Sequence, residues 1–182
     1  MTPYYMATIK YDERFEGWDA YVKRLNLPHL TEIVSIDSHC ALGESRLTSD
    51  ETADIAPANE VGPHPVCFRT LECLQGCLVR IAPTVPFNLL CVFREPDEPP
   101  VSPQPSFVLL GCDLIEDRTG ISAVTNCGRQ FSAVIGAADV NAHGLINTFE
   151  RAKAIQRELL RVYPQDPHAN CSLWAMFRAR PR

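Results

Sequence analysis

Two apolar segments that flank a proline-rich tract constrain the fold most strongly. FNLLCVFR (residues 87–94) and SFVLLGCDLIED (residues 106–117) are rich in the large apolar and β-branched residues typical of strands. The tract between them, residues 95–105, holds five prolines, which favour an extended backbone. Because the two apolar segments are similar in length, we predict two strands joined as a hairpin, with residues 95–105 as its proline-rich arm.

The last apolar segment, SLWAMFR (residues 172–178), predicts the interior of a sheet. Leu173 and Phe177 fall on one face of the expected strand, and Trp174 and Met176 on the other. A strand with two apolar faces is covered on both sides, so we expect it away from the sheet edges. Further strands are predicted at residues 4–11, 31–37 and 121–126.

Apolar residues at helical spacing predict three helices. The first lies in GWDAYVKRLNLP and ends at Pro28, and the second covers residues 66–82. The third follows Asn147, the predicted N-cap, with Glu150 three residues later as its capping-box partner. The apolar stripes are Cys67, Leu71, Leu74, Leu78 and Ile81 in the second helix, and Ala152, Ile155, Leu159 and Val162 in the third. A shorter helix is expected near residues 137–141.

The predicted element order is β-α-β-α-β-β-β-α-β, which lacks the regular alternation of a parallel α/β fold. We therefore expect a single α+β domain over residues 1–182. Its sheet is predicted to be largely antiparallel, with about five to six strands and two or three helices packed mainly on one face. Residues 43–62 carry five acidic residues and few large apolar ones, and are expected to form an acidic surface loop.

Composition favours a cytoplasmic protein. The chain has 182 residues, of which 46% are hydrophobic and 21% charged, and no apolar run approaches the roughly 18 to 20 residues that span a bilayer. Charged residues near the N-terminus interrupt any signal-peptide pattern, so the eight cysteines are expected to be reduced. Residues 1–117 carry a net charge of −10 and residues 118–182 one of +5, which favours contact between the two halves.

A zinc site is one possible role for the cysteines. His168 and Cys171 have the spacing of a local ligand pair, and Cys73 and Cys77 are one helical turn apart on the second helix. Structural zinc takes four such donors, so these four residues together form the predicted metal site. The alternative is that Cys73 and Cys77 are small apolar residues beside the buried stripe.

Nucleophilic catalysis is a second possibility. Cys127 follows a predicted short strand and precedes a glycine, which would leave its sulfur exposed at a strand end. His168 or His143 would act as the base, with Asn126 or Asn170 as the orienting group. The alternative is a simple turn, because Asn and Gly tolerate positive φ.

A binding role is favoured over chemistry, because no catalytic signature and no glycine-rich phosphate loop is present. The leading hypothesis is a cytosolic protein-interaction or regulatory module that binds a protein partner or self-associates. Its candidate surfaces are residues 43–62, residues 95–105 and the basic side of the last helix, which carries Lys153, Arg157 and Arg161. Nucleic acid is not expected as a partner, because the remainder of the chain is acidic.

Overall fold

A computed structural model of the chain describes residues 2–37, 40, 47–62, 66–81, 86–125 and 130–180. The strands are β1 (Tyr4–Ile9), β2 (Tyr11–Asp12), β3 (Glu32–Ile33), β4 (Phe87–Arg94), β5 (Phe107–Glu116) and β6 (Cys171–Ala179). The helices are α1 (Trp18–Leu25), α2 (Ser49–Asp54), α3 (Ala58–Val61), α4 (Leu71–Ile81) and α5 (Phe149–Val162). The predicted α+β fold is confirmed.

Four strands form an antiparallel sheet in the order β1-β4-β6-β5, and β2 pairs with β3 in a separate ribbon. The interior position predicted for the last strand is confirmed, since β6 pairs on both sides and its residues 171–177 are all buried. The predicted hairpin is wrong, because β6 lies between β4 and β5. Both strands run antiparallel to β6, so residues 95–105 connect two strands that are parallel and not adjacent.

Helices cover one face of this sheet, as predicted. Buried residues of α1, α4 and α5 pack with Phe93 and Phe177 in one apolar cluster. The opposite face, which includes Met6 and Trp174, is covered mainly by non-helical chain. Its cover consists of Val34, Ile36, Ala56, Val61, Cys67 and Leu145. Ser35 and Asp37, in the segment that follows β3, belong to this non-helical layer.

Several element boundaries differ from the predictions for local reasons. Cys67 and Phe68 precede α4, because Phe68 exchanges backbone hydrogen bonds with Tyr5 at 2.8 and 2.7 Å. Thr148, and not Asn147, caps α5, since its hydroxyl accepts from the Arg151 amide at 3.2 Å. The strand predicted at 31–37 is reduced to β3. Of the strand predicted at 121–126, the described residues 121–125 form a single bridge, between Ser122 and Ile115.

The acidic segment predicted as a surface loop is partly helical. Its described part, residues 47–62, contains α2 and α3, and residues 43–46 lie outside the described residues. Thr48 and Glu51 form a capping box at the start of α2. The Glu51 carboxylate also binds Arg80 of α4 at 2.5 Å, which ties α2 to the main body of the protein.

Ion pairs join the two oppositely charged halves of the chain. Arg178 binds Glu32 at 2.5 Å, and Lys153 binds Glu95 at 3.1 Å. Part of the basic side of α5 is therefore neutralised within the molecule. The seven cysteines in the described ranges are free thiols. Across those same ranges, we find no helix with the length and apolarity needed to cross a membrane.

Candidate functional site

A pocket of about 220 Å³ opens between the β2–β3 ribbon, α1 and the segment that follows β3. We call it the inner pocket. Its size suits a small organic molecule or part of one. Its described lining comprises two aromatic residues, Tyr11 and Tyr21, four charged or polar residues, Arg24, Ser35, Asp37 and Thr125, and the apolar residues Ile33 and Cys40.

Aromatic rings form one wall of the inner pocket. Tyr11 lies opposite Ile33 in the ribbon, and its ring centroid is 6.4 Å from that of Tyr21 on α1. The Tyr21 hydroxyl donates to the Thr125 carbonyl at 2.9 Å, which fixes the ring against the facing loop. Arg24, one helical turn after Tyr21, places its guanidinium 5.1 Å from the Tyr21 ring centroid. The exposed guanidinium thus lies at the rim.

Two buried carboxylates lie at the floor. Asp37 lines the inner pocket with 2% of its surface exposed, and Asp113 of β5 is completely buried behind it. Ser122 joins them, because its amide donates to Asp37 at 2.8 Å and its hydroxyl to Asp113 at 2.7 Å. Ser35 adds a second link: its hydroxyl donates to Asp113 at 2.6 Å and accepts from the Asp37 amide at 3.0 Å.

Burial raises the pKa of Asp113 to about 7. The hydrogen bonds from Ser35 and Ser122 favour the ionised form and oppose this effect, while the nearby charge of Asp37 adds to it. Asp113 therefore exchanges its proton near neutral pH. Asp113 is linked to Asp37 through two serines. The gain or loss of the Asp113 proton near pH 7 therefore changes the total charge at the floor of the inner pocket.

The Cys40 thiol and the Tyr21 hydroxyl of the inner pocket are neutral at pH 7. Burial, together with the charges of Asp37 and Asp113, raises the pKa of the Cys40 thiol to about 12. Burial also raises the pKa of Tyr21 to about 12. A thiol with so high a pKa is a poor nucleophile, because the thiolate is the reactive form. Among the described lining residues, the formal charges are those of Asp37 and Arg24.

A second cavity adjoins the inner pocket across the two tyrosines. This outer pocket has a volume of about 310 Å³ and shares Tyr11, Tyr21 and Arg24 with the inner one. Phe15 forms its far wall, with its ring centroid 3.8 Å from that of Tyr11. Phe15 is 42% exposed, so the outer pocket is an apolar shelf open to solvent.

The structure places the predicted zinc ligands in two separate surroundings. Cys73 and Cys77 lie on α4, where burial and the neighbouring carboxylates, Asp54 and Glu51 respectively, raise the pKa of each thiol. His168 and Cys171 lie at the start of β6, with the Cys171 sulfur 3.2 Å from the His168 carbonyl oxygen. All four residues fall in the described ranges, and within those ranges no group of three or more His, Cys, Asp or Glu side chains is arranged to hold a metal ion.

The predicted nucleophile, Cys127, lies outside the described residues, although Thr125, two positions earlier, lines the inner pocket. His168 lies beside Glu116, with 3.8 Å between its Nδ1 and the carboxylate. Glu116 is three residues beyond Asp113 on β5, so His168 is about 10 Å along the strand from the floor. His143 contacts Glu32 at 2.7 Å through its Nδ1. The cysteine-dependent enzyme stays a prediction.

Asp37 and Asp113 are not among the candidate site residues that the sequence patterns indicate. One signal was present, because Asp113 is a charged residue in the middle of an apolar strand segment. A buried carboxylate requires hydrogen-bond partners, so such a residue predicts a polar network on one face of the sheet. The partners Ser35 and Ser122 are 78 and 9 residues away in the chain, and no local pattern identifies them.

Comparisons of the chain with protein-family models, with curated proteins and with solved structures give no match.

Proposed function

We propose that this protein is a regulatory binding module that takes a small organic ligand in the inner pocket. The observation that carries the proposal is the position of Asp37, a carboxylate with 2% of its surface exposed that nevertheless lines an open cavity. Ligand sites are typically cavities with apolar walls and a few well-placed polar groups. Tyr11 and Tyr21 supply such walls, and Asp37, Ser35 and Thr125 supply the polar groups.

Binding is favoured over covalent chemistry by the protonation states at the site. Cys40, the thiol on the described lining, has a pKa of about 12 and stays protonated at neutral pH. Asp113 has a pKa suited to proton transfer, but it is completely buried, with Asp37 and the two serines between it and the cavity. These groups suit recognition by hydrogen bonds and charge.

The test is a fragment screen by ligand-observed NMR, repeated on a variant whose inner pocket is filled. Cys40→Leu adds bulk to the lining while keeping it apolar. The matched control is Cys73→Leu, on α4 outside the pocket lining. We expect fragments that bind the wild-type protein and the control, and that lose roughly tenfold or more in affinity with Cys40→Leu. Fragments that bind all three proteins equally would contradict the proposal.

Self-association is the second candidate function, favoured by exposed apolar residues beside the proline-rich tract. Val101 is 85% exposed, and Val108 and Leu109 at the start of β5 are 40% and 48% exposed. Monomeric proteins bury most residues of this kind when they cluster. Light scattering tests this candidate: we expect a mass above 20.3 kDa that returns to the monomer value with Leu109→Lys. Val79→Lys, on an exposed side of α4, is the control and is expected to have no effect.

A cytoplasmic location belongs to the same proposal. The seven free thiols in the described ranges support it, because exported proteins usually oxidise their cysteines. Titration of the native protein with a thiol reagent, before and after unfolding, would reveal any cysteine lost to a disulfide. A disulfide formed in the purified protein without added oxidant would contradict a reducing location.

A further inference from the structure

We infer that the outer pocket is a second binding site, which takes an aromatic carboxylate with its carboxylate group on Arg24 and its ring against Phe15. The outer pocket is a separate cavity, so this inference goes beyond the proposed function and holds whether or not the inner pocket is occupied. It comes from the free guanidinium of Arg24, the charges around the outer pocket, and the aromatic surface beside them.

Arg24 forms no ion pair within the part of the chain that the structure describes. By contrast, Arg14, Arg80 and Arg178 each bind a carboxylate at 2.5 Å. Arg24 instead lies over the Tyr21 ring, with its guanidinium carbon 5.1 Å from the ring centroid. The N–H donors of a guanidinium lie in its plane, so a guanidinium over a ring is able to donate two parallel hydrogen bonds to a carboxylate at its edge.

The charges around the outer pocket favour an anion. Arg24 is the one charged residue of the described lining, which otherwise consists of aromatic residues, a glycine and an alanine. Asp19, the acidic residue of α1, lines a different cavity on another side of the helix, and Asp12 is bound to Arg14 at 2.5 Å. Asp37 lines the inner pocket and is not part of the described wall of the outer one. A cationic ligand would therefore be repelled by Arg24, and an anionic one attracted.

The aromatic surface beside Arg24 accounts for the ring of the ligand. Phe15 is 42% exposed, and its ring centroid is 3.8 Å from that of Tyr11, so two neighbouring rings form an apolar shelf. Gly17 and Ala20 border this shelf with little side-chain volume, and a Cβ added at Gly17 would meet nothing within 4 Å. A ligand ring therefore has room to pack on Phe15, where aromatic pairs add to the gain from apolar burial.

The dimensions of the outer pocket limit the size of the ligand. From Gly17 to Arg24 the chain advances about 10 Å along α1, at about 1.5 Å per residue. One aromatic ring with a carboxylate on a short aliphatic chain spans about this distance. The single guanidinium of the described lining matches the single charge of a carboxylate, whereas a phosphate group presents more charge and more acceptor oxygens than one guanidinium satisfies.

The test compares three probes that share a phenylpropyl skeleton and differ in charge: 3-phenylpropionate, 3-phenyl-1-propanol and 3-phenylpropylamine. NMR titration of the isotope-labelled wild-type protein at pH 7.5 and low salt measures their affinities. We expect the carboxylate to bind roughly fivefold or more tightly than the alcohol, with the amine weakest, and its advantage to shrink in high salt. Equal binding of the carboxylate and the amine would overturn the inference, and so would shifts that miss the amides of Ala20, Tyr21 and Arg24.

Arg24→Gln and Lys23→Gln are a matched pair of variants, because each removes one positive charge from the last turn of α1 and only Arg24 lines the outer pocket. Arg24→Gln should lower the affinity for 3-phenylpropionate to about that for the alcohol, and should change the alcohol by less than about twofold. Lys23→Gln should leave the binding of all three probes unchanged. Equal losses in the two variants would indicate a general effect of charge and would contradict the site.

Phe15→Ala tests the aromatic shelf. It should weaken all three probes by a similar factor, roughly fivefold, because they share the phenyl ring. Val79→Ala, at an exposed position on α4, is the control and should weaken none of them. Unchanged binding of 3-phenylpropionate by Phe15→Ala would exclude the shelf as the binding surface.

Cys40→Leu separates this inference from the proposed function, because Cys40 lines the inner pocket and is not part of the described wall of the outer one. We expect 3-phenylpropionate to bind Cys40→Leu as it binds the wild-type protein. Loss of its binding in Cys40→Leu would place the carboxylate in the inner pocket, and the inference would fail while the proposed function stands. If Arg24→Gln weakens 3-phenylpropionate and no fragment is sensitive to Cys40→Leu, the inference holds and the proposed function fails.

Discussion

Asp37 and Asp113 are joined through a single residue, Ser122, whose amide donates to one carboxylate at 2.8 Å and whose hydroxyl donates to the other at 2.7 Å. Asp113 belongs to β5 and Asp37 to the non-helical segment that covers this face of the sheet. The two hydrogen bonds of Ser122 therefore attach the segment that contains Asp37 to the sheet, and they set the charge at the floor of the inner pocket. Stability and ligand binding should respond together when this link is changed.

The protonation of Asp113 makes the stability of the fold dependent on pH. Its pKa is about 7 in the folded protein, raised mainly by burial, against about 3.9 in an unfolded chain. The native state holds this proton more tightly, so the contribution is fully present below about pH 4 and is lost as the pH rises through about 7. As the pH rises from 5.5 to 8, the ionisation of Asp113 should lower the free energy of unfolding by about 2 kcal/mol.

Asp113→Asn isolates this contribution, because asparagine keeps the size of the side chain and does not titrate. Urea unfolding at several pH values should give a flatter profile for the variant than for the wild-type protein, since the histidines titrate in both. Asp19→Asn, on the exposed side of α1, is the matched control and should follow the wild-type profile. Parallel profiles for Asp113→Asn and wild type would show that the carboxyl does not change its charge over this range.

Ser122→Ala should both destabilise the fold and move the Asp113 titration. The variant loses the hydroxyl that donates to Asp113 and that accepts from the Val124 and Thr125 amides at 3.2 and 3.3 Å. Leaving such buried groups unsatisfied costs about 1–3 kcal/mol in free energy of unfolding.

The pKa of Asp113 should rise further in Ser122→Ala, because the lost hydrogen bond favoured the ionised form. Urea unfolding and NMR titration of the side-chain carboxyl carbon measure the two effects. Thr31→Ala removes an exposed hydroxyl that donates to the Ala142 carbonyl, and should change stability by no more than about 0.5 kcal/mol. An unchanged Asp113 titration in Ser122→Ala would contradict the hydrogen bond.

The sequence predicts the elements of this fold better than their arrangement. The apolar residues on both faces of SLWAMFR identify β6 as interior, because its burial is determined by its own side chains. The positions of β4 and β5 in the sheet are not determined locally. They do not pair with each other, because β6, which begins about 55 residues after the end of β5, lies between them. A local pattern contains no information on such an insertion, and the hairpin prediction fails for that reason.

The candidate site shows the same limit. Asp37 and Asp113 come from segments that the sequence presents as ordinary strands, and they meet because the chain after β3 crosses the face of β5. The spacing patterns in the sequence point instead to cysteines and histidines. His168 lies in the turn before β6 and Cys73 on α4, and each has different neighbours. Convergence of residues from distant segments is a property of the tertiary fold.

Glu51 should contribute to the free energy of unfolding at neutral pH, and this contribution should be lost at acid pH. The hydrogen bond from Arg80 is the main cause of its pKa being lowered to about 2, with the Thr48 amide also contributing. A carboxyl with a lowered pKa contributes its full stability above about pH 4.3, the unfolded value, and loses it as the pH falls through about 2.

Glu51→Gln should therefore lower the melting temperature by a few degrees at pH 7, and the difference from wild type should fade below about pH 4. Glu72→Gln, exposed on α4, serves as the control and should leave the melting temperature unchanged. Thermal unfolding followed by circular dichroism from pH 7 to pH 2 measures this. A deficit in Glu51→Gln that persists undiminished at pH 2 would indicate lost capping and not a lost charge interaction.

Two glycine-to-alanine changes should have opposite effects on stability. Gly111 interrupts the register of β5 with φ at 146°, and a Cβ there would lie 2.6 Å from the Ile146 carbonyl oxygen. That oxygen accepts from the Cys112 amide at 2.9 Å, so it cannot move away without breaking this hydrogen bond between β5 and Ile146. Gly111→Ala should therefore lower the free energy of unfolding by about 3 kcal/mol.

Gly76 is the matched site, since it lies on the exposed side of α4 and an added Cβ would meet nothing within 4 Å. Alanine restricts the unfolded chain more than glycine and suits a helix, so Gly76→Ala should raise the free energy of unfolding by about 0.5–1 kcal/mol. Urea midpoints at constant m-value measure both variants. If Gly111→Ala left the midpoint unchanged or raised it, the close approach of the Ile146 carbonyl oxygen to β5 would be wrong.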